Sequence, residues 1–345
     1  MPLVQVFCER SRKGDAFVNN QVMEKTKILV CGATGFIGRN VVERLLVRRD
    51  FHITAIFHDT PPFESKSVNW VAADLTRADD VEHVVDGADV IIQAAATTSG
   101  SKDIVTKPHI HTTDNAVMNS LLLRAAFNHG VKHFLFFSCS VMYQPSPFPL
   151  KEGDFDPGKE LVANYFGVGW SKIYIEKMCE FFSRISKLKC TVLRHSNIFG
   201  PYDKYDLDRS HVFGATITKV MTADNDDALA IWGTGEEGRD LLYVSDLMDC
   251  VELAVDCQET EFGLYNVGSG HAVTIKELVR RIIAASGKQL RIEHDLTKPN
   301  IPTTLSLDCN RVRQAFGWTP RVTLDEGIVR TLEWYRQNMG HDENR

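Results

Sequence analysis

Apolar positions along this chain fall into short dense runs, separated by longer stretches in which they recur every three or four residues. The run Ile28 to Cys31 reads as a buried strand, and Phe36, Ile37, Val41, Val42 and Leu45 then recur at helical spacing. The alternation continues: HITAIF, VNWVAADL, ADVIIQAAA, VKHFLFFSCS and LKCTVLRHSNIFG are short apolar runs with amphipathic segments between them. That order predicts an α/β fold, a doubly wound parallel sheet with helices on both faces. Beyond about residue 200 the pattern loosens into helices and short strands, HVFGATITKVMT, LAIWGTG, VSDLMDCVELAV and TIKELVRRIIAAS, read as a smaller C-terminal lobe interleaved with the main sheet. The chain divides into an extension (1–25) with a short strand at Leu3 to Phe7, a main domain (26–200) and the smaller lobe (201–345). Within the segment before the last main strand, Met178, Phe181, Phe182 and Ile185 share a helical stripe and are assigned to the core.

With 345 residues and 43% hydrophobic content the chain buries a large core, which excludes a disordered or fibrous class. A formal charge of -6 provides no basic surface for nucleic acid or an anionic membrane. Eight cysteines without any Cys-x-x-Cys pair argue against a zinc cluster or a disulfide framework, and point to the reducing cytoplasm. No apolar run approaches the roughly 20 residues that cross a bilayer.

The first strand, turn and helix carry Gly32, Gly35 and Gly38 as Gly-x-x-Gly-x-x-Gly. Missing side chains at that junction let a diphosphate approach the backbone amides and the positive end of the helix, so the main domain reads as a Rossmann-type dinucleotide site. Ligands gather at the carboxyl ends of such strands, where GATG, ADL, AAAT, SCSVMY and RHSNIFG all fall.

These residues resemble a known family. GATGFIG, Asp74 in ADL, Asn115 in TTDNAVMNSLLLRAA, SCSVMY, Lys172 in GWSK, RHSNIFGP and IWGTGEEGRDLLYVSDL follow in the order found in extended short-chain dehydrogenases/reductases, the NAD-dependent epimerase/dehydratase group, from about residue 26 to 338. GPYDKYDLDRSHVFGATITKV and TKPNIPTTLSLD look most like its GDP-fucose synthase branch, which epimerises or reduces 4-keto sugars attached to GDP. The resemblance implies cofactor contacts from Gly32, Thr34, Gly35, Phe36, Ile37, Gly38, His58, Asp74, Leu75, Ala94, Ala95, Asn115, Lys172 and Ile198. It implies substrate contacts from Tyr143, Asn197, Arg209, Trp232 and Arg239, and a second copy of the chain as partner, forming a homodimer. A basic residue belonging to the late TKP segment is absent, since Thr303 and Thr304 stand there.

The resemblance also exposes a gap. In the family a tyrosine moves the hydroxyl proton, helped by a lysine four residues later and by a serine or threonine near the end of the fifth strand. Four residues put phenol and ammonium on one helix face, where the charge lowers the phenol pKa. Here Lys172 is present, but Val168 takes the tyrosine position and Cys139 the serine position. Shifting the register does not restore the phenol: Tyr165 lies seven residues before Lys172, and Tyr174 with Lys177 has the wrong spacing.

Three explanations follow. His211 in RSHVFG matches a histidine that acts as an acid during epimerisation in the branch, and an imidazole titrates in a suitable range. Cys139 offers a thiol closer to neutrality than a serine hydroxyl. Or catalysis is lost, and the chain is a non-catalytic protein that binds nucleotide-sugar and dinucleotide. We expect His211 to carry the principal proton transfer, Lys172 to position the cofactor and Cys139 to line the sugar pocket. Tyr143 is expected on the cleft wall. His58 and Asp59, at the end of the second strand, favour NAD over NADP, which stays possible. The reading is a cytoplasmic enzyme that uses NAD(P) to modify a sugar on a nucleoside diphosphate, without a metal.

Overall fold

The structure is a computed structural model that describes residues 24–97, 108–207, 210–298 and 303–339. The strand expected at Leu3 to Phe7 lies outside the described residues, as does Arg209. Strands β1 (Thr26–Cys31), β2 (Phe51–Phe57), β3 (Val68–Ala72), β4 (Val90–Gln93), β5 (His133–Cys139), β6 (Lys189–His195) and β10 (Phe262–Val267) form one sheet in the order β10-β6-β5-β4-β1-β2-β3. Every pairing in it is parallel. Strand order reverses between β1 and β4, the switch point at which a doubly wound sheet opens a crevice.

Two apolar layers hold the sheet. Helices α1 (Phe36–Leu45) and α6 (Val244–Cys257) cover one face, with Val41, Val42 and Leu45 packed beside Leu247, Val251 and Ala254. Helices α2 (Ala78–Val85), α3 (Pro108–Asn128) and α4 (Phe166–Ile185) cover the other, through Val81, Leu122 and Ile175. Strands buried on both faces read as continuous apolar runs, which is why the pattern in the sequence was dense rather than alternating.

The run LKCTVLRHSNIFG is two strands. At Ser196, whose N–H donates to Val267 O (2.9 Å), the chain leaves the main sheet, and β7 (Asn197–Phe199) joins β9 (Gly238–Tyr243) and β11 (Ala272–Thr274). A hydrophobicity pattern cannot show which partner a strand takes. With α5 (Val212–Thr222), α7 (Ile275–Ser286), α9 (Leu324–Asn338) and the pair β8 (Ala228–Trp232) and β12 (Arg291–Asp295), this sheet encloses a separate apolar core around Phe213, Ile217, Leu278 and Leu332. The chain then returns: β10 closes the main sheet beside β6, and α8 (Asn310–Phe316) packs under it through Phe316 against Tyr265. The α4 stripe divides: Met178 and Phe182 pack on the core, whereas Phe181 and Ile185 are exposed, so the assignment of those two to the interior is corrected. Among the described residues no helix is long and apolar enough to cross a membrane.

Among the described residues, the most deeply buried ion pair ties α4 to the sheet. Glu176 receives Arg194 Nη2 at 2.6 Å and Arg194 Nε at 2.9 Å, and the Ser138 hydroxyl donates to Glu176 Oε1 at 2.6 Å. Removing one partner of such a pair leaves an uncompensated buried charge. Glu176→Ala is expected to lower the unfolding free energy by about 3–5 kcal/mol, measured by urea denaturation, with Glu176→Leu/Arg194→Met losing less than either single variant.

Candidate active site

The turn between β1 and α1 is built by steric exclusion. Gly32 takes φ +69°, and a Cβ there would lie 2.6 Å from Ala95 Cα, at the mouth of β4. A Cβ on Gly38 would lie 2.0 Å from Gly32 O. These two glycines let the turn close on itself and on β4. Gly35 differs: it is exposed, extended at φ -80° and ψ 169°, and caps α1 with no side chain claiming the amides of the first turn. The glycine pattern thus leaves an open cradle of backbone N–H donors at a helix N-terminus, which fits a dinucleotide diphosphate.

The remaining positions expected to hold the cofactor surround this turn. Thr34, Phe36 and Ile37 lie on it, half-buried, and Ala94 and Ala95 end β4 beneath it. Asp74, after β3, accepts hydrogen bonds from Thr76 N (2.9 Å) and Thr76 Oγ1 (2.6 Å), and those bonds hold its carboxyl below the ordinary range. His58 stands close enough to add to that effect and pairs with Asp59 at 3.4 Å. Leu75 is buried in the core, and Ile198 on β7 is packed against the α1 side. Asn115 is buried on α3, where its Nδ2 donates to Thr97 O and His111 O and its Oδ1 accepts from Thr97 N. It fixes the segment after β4 and so acts as a positioning residue.

Across the crevice, β5 and β6 end side by side, with Cys139 paired in register with His195. Lys172, on the face of α4 that meets this edge, donates to Phe137 O at 2.9 Å and lies 4.6 Å from the centre of the Phe136 ring. Burial lowers the Lys172 ammonium, raises the Cys139 thiol and pushes the His195 imidazole down to about 4. All three keep accessible surface, and His211, at the N-cap of α5, is exposed although burial also lowers its imidazole. Side chains that water reaches while protein fills most of the surrounding volume line a deep cleft, and we read all four that way. His195 feels the charges of both Lys172 and His211, which joins the two lobes at one place.

The chemistry differs by position. Cys139 stays a neutral thiol, so it donates a hydrogen bond rather than serving as a base. His195 Nδ1 lies 2.7 Å from Ser196 O, and since a carbonyl only accepts, Nδ1 carries the hydrogen and Nε2 presents a lone pair. Sequence reasoning passed over His195; only the pairing of β6 with β5 reveals it. Val168 is half-buried on α4 and has no proton to give.

Tyr143 requires correction. It is buried, its hydroxyl donates to Asn266 Oδ1 and accepts from Arg194 Nη1, both at 2.8 Å, and its pKa is pushed up to about 12 by burial. It belongs to the Glu176–Arg194 network rather than to the cleft wall. In the smaller lobe, Asn197 donates to Asp240 O at 3.2 Å, and Arg239 Nη1 donates to Gly238 O and Thr303 O. Thr304 Oγ1 accepts from Gly238 N at 2.8 Å, so the two threonines that replace the expected basic residue anchor β9. Trp232 is exposed on β8, with Lys219 and Lys298 each about 6 Å from its ring face.

A parallel sheet with a glycine cradle at its switch point, and a lysine-bearing helix beside it, defines a nicotinamide-dependent class. Residues 28–268 match the NAD dependent epimerase/dehydratase family, and the chain belongs to that family. It is 30% identical over 329 residues to a putative GDP-L-fucose synthase 2 of Arabidopsis thaliana, covering 92% of this chain and 94% of that one. It is 27% identical to the GDP-L-colitose synthase of Yersinia pseudotuberculosis, covering 92% and 100%. Its fold matches the crystal structure of UDP-glucose 4-epimerase of Thermotoga maritima at a TM-score of 0.81, with 24% identity over 91% of this chain and 100% of that one.

The two kinds of glycine give different outcomes. Gly35→Val is expected to fold, since its Cβ meets only Gly32 O at 3.3 Å, yet to lose NAD binding by calorimetry. Gly38→Val is expected to lose the fold itself by circular dichroism. Equal NAD affinity in Gly35→Val and the parent would remove the diphosphate assignment.

Proposed function

We propose that this protein is an enzyme that epimerises or reduces a sugar carried on a nucleoside diphosphate, GDP in preference to others, with NAD as the favoured cofactor and NADP as the alternative. One observation supports the reading: Cys139 and His195 end adjacent strands of the main sheet, and His195 feels the charges of Lys172 and of His211 in the second lobe. GDP is supported by relatives whose names carry it, the fucose and colitose synthases.

When bound, the nicotinamide gives or takes a hydride at a sugar carbon. The amides after Gly35 would hold the diphosphate of the dinucleotide, and Lys172, fixed to β5, would position its nicotinamide end. Arg239 offers a planar guanidinium to the substrate's diphosphate or sugar. Cys139 lines the sugar pocket as a thiol donor. His211, neutral at pH 7 because burial lowers its pKa, takes a proton from carbon at Nδ1 or Nε2 before returning it. Epimerisation needs both halves of that exchange.

His211→Asn is expected to lower turnover about 100- to 10,000-fold with NAD affinity unchanged, and Cys139→Ser to lose less. The assay is conversion of GDP-, UDP-, CDP- and dTDP-sugars followed by mass spectrometry in heavy water. Because the neutral imidazole is the reactive form, kcat/KM should rise with pH through a value below 6.5 and then level. That limb should vanish in His211→Asn. Binding of these sugars without any conversion would instead favour a non-catalytic binding protein.

The outward side of the α3–α4 pair supports a homodimer. Phe127, Phe181 and Ile185 are 42%, 54% and 52% exposed, and a second copy packing there would cover them. Phe181→Glu/Ile185→Lys is expected to shift the protein to monomer by light scattering. No described cysteine forms a disulfide, which supports the cytoplasm as its location.

A further inference from the structure

A buried or half-buried tyrosine hydroxyl ordinarily finds a hydrogen-bond partner. Tyr143 follows that rule twice over. Tyr165 differs: it is half-buried, no hydrogen bond among the described residues engages its hydroxyl, and that oxygen stays open to solvent. It closes a short 3-10 turn, Ala163–Tyr165, and forms the N-cap of α4. Tyr165, Val168 and Lys172 are spaced i, i+3 and i+7, so they lie along one face of that helix. Tyr165 also feels the charges of Arg239 on β9 and of Cys139 at the end of β5, one from each wall of the cleft.

We propose that Tyr165 supplies, from the helix N-cap, the phenol that is missing at position 168, and donates a proton to the sugar oxygen. The proposal rests on the nucleotide-sugar reading above and assigns the oxygen-bound proton to Tyr165, leaving the carbon-bound proton to His211. As a keto sugar is reduced, the Oη–H bond of Tyr165 breaks and an O–H bond forms on the former carbonyl oxygen. The hydride that completes the reduction at carbon comes from the reduced nicotinamide cofactor, whose oxidation balances the electrons. The phenolate left behind stands near the Arg239 guanidinium and recovers a proton from water in the cleft. Burial is the largest influence on this phenol and raises its pKa, which keeps it protonated at neutral pH and suits a donor rather than a base.

The test uses the full chain with a GDP-linked 4-keto hexose and reduced NAD or NADP. Tyr165→Phe should lower single-turnover hydride transfer about 100- to 10,000-fold, while exchange of the sugar carbon proton into heavy water persists. Tyr165→Phe/Val168→Tyr should recover part of the lost rate. Independently of turnover, adding GDP to cofactor-free parent protein should perturb the ultraviolet absorbance of tyrosine, and Tyr165→Phe should lack that component. GDP affinity by calorimetry should match the parent, which excludes a folding defect. With the parent active, unaltered hydride transfer in Tyr165→Phe overturns this assignment alone, as does a rise in KM with kcat unchanged or an identical GDP difference spectrum. A parent that converts no GDP sugar overturns the nucleotide-sugar reading and this proposal together.

Discussion

The buried pair of Glu176 and Arg194 is the constraint on which the active-site edge depends. Two charges removed from water are tolerable only if their remaining donors and acceptors are satisfied. Here each is: Ser138 reaches Glu176, and Arg194 also serves Tyr143 and, at 3.0 Å, Glu152 O. Glu152 in turn accepts from Asn266 N at 2.7 Å. One network therefore joins α4, β5, β6 and β10. Glu176 lies one helical turn beyond Lys172, so satisfying the buried charge also sets the angle at which Lys172 meets β5. Tyr143 is spent on this network, which is why a tyrosine next to the catalytic edge has no catalytic freedom.

A second buried carboxylate does for the smaller lobe what Glu176 does for the main sheet. Asp240 on β9 accepts from Ser269 N, Ser269 Oγ, Gly270 N and Leu307 N, at 2.7 to 3.1 Å, and Leu307 is itself buried. Burial still raises its pKa, since four donors offset only part of the desolvation. Its neighbour Arg239 is thereby placed on a strand that cannot shift without breaking those bonds. Asp246, at the start of α6, repeats the device by accepting from Arg321 N and Val322 N, both at 3.0 Å. The two lobes are thus fixed to one another by main-chain donors converging on carboxylates, and the cleft between them inherits that rigidity.

Replacing the family's phenol with Val168 changes how proton transfer can be organised. A tyrosine beside a lysine unites proton movement and charge stabilisation on one helix face. In the arrangement proposed above, those duties would be divided among groups on different elements: Lys172 on α4, Cys139 and His195 at adjacent strand ends, His211 on α5, and Tyr165 at the helix cap. Each is shifted by burial in the direction that favours its neutral form.

The sequence by itself determined the parallel α/β sheet and the glycine turn after its first strand, because both follow from local chemistry. Strands buried on both faces must be continuously apolar, and a turn closed against β4 must use glycine at 32 and 38. Lys172, Cys139 and His211 were singled out through their place in an ordered set of motifs. Only the tertiary structure decided the rest. Nothing in LKCTVLRHSNIFG says that the chain changes sheets at Ser196, because strand pairing is a long-range choice. The burial of Tyr143 depends on Arg194 and Asn266, 51 and 123 residues away. Phe181 and Ile185 have the spacing of core residues but face outward, since helical periodicity defines a stripe without saying what packs against it. Tyr165 was set aside on spacing alone, and only folding brought it within reach of the charges of Cys139 and Arg239. Spacing along one helix is a local property, whereas the company a side chain keeps is set by every element that folds against it.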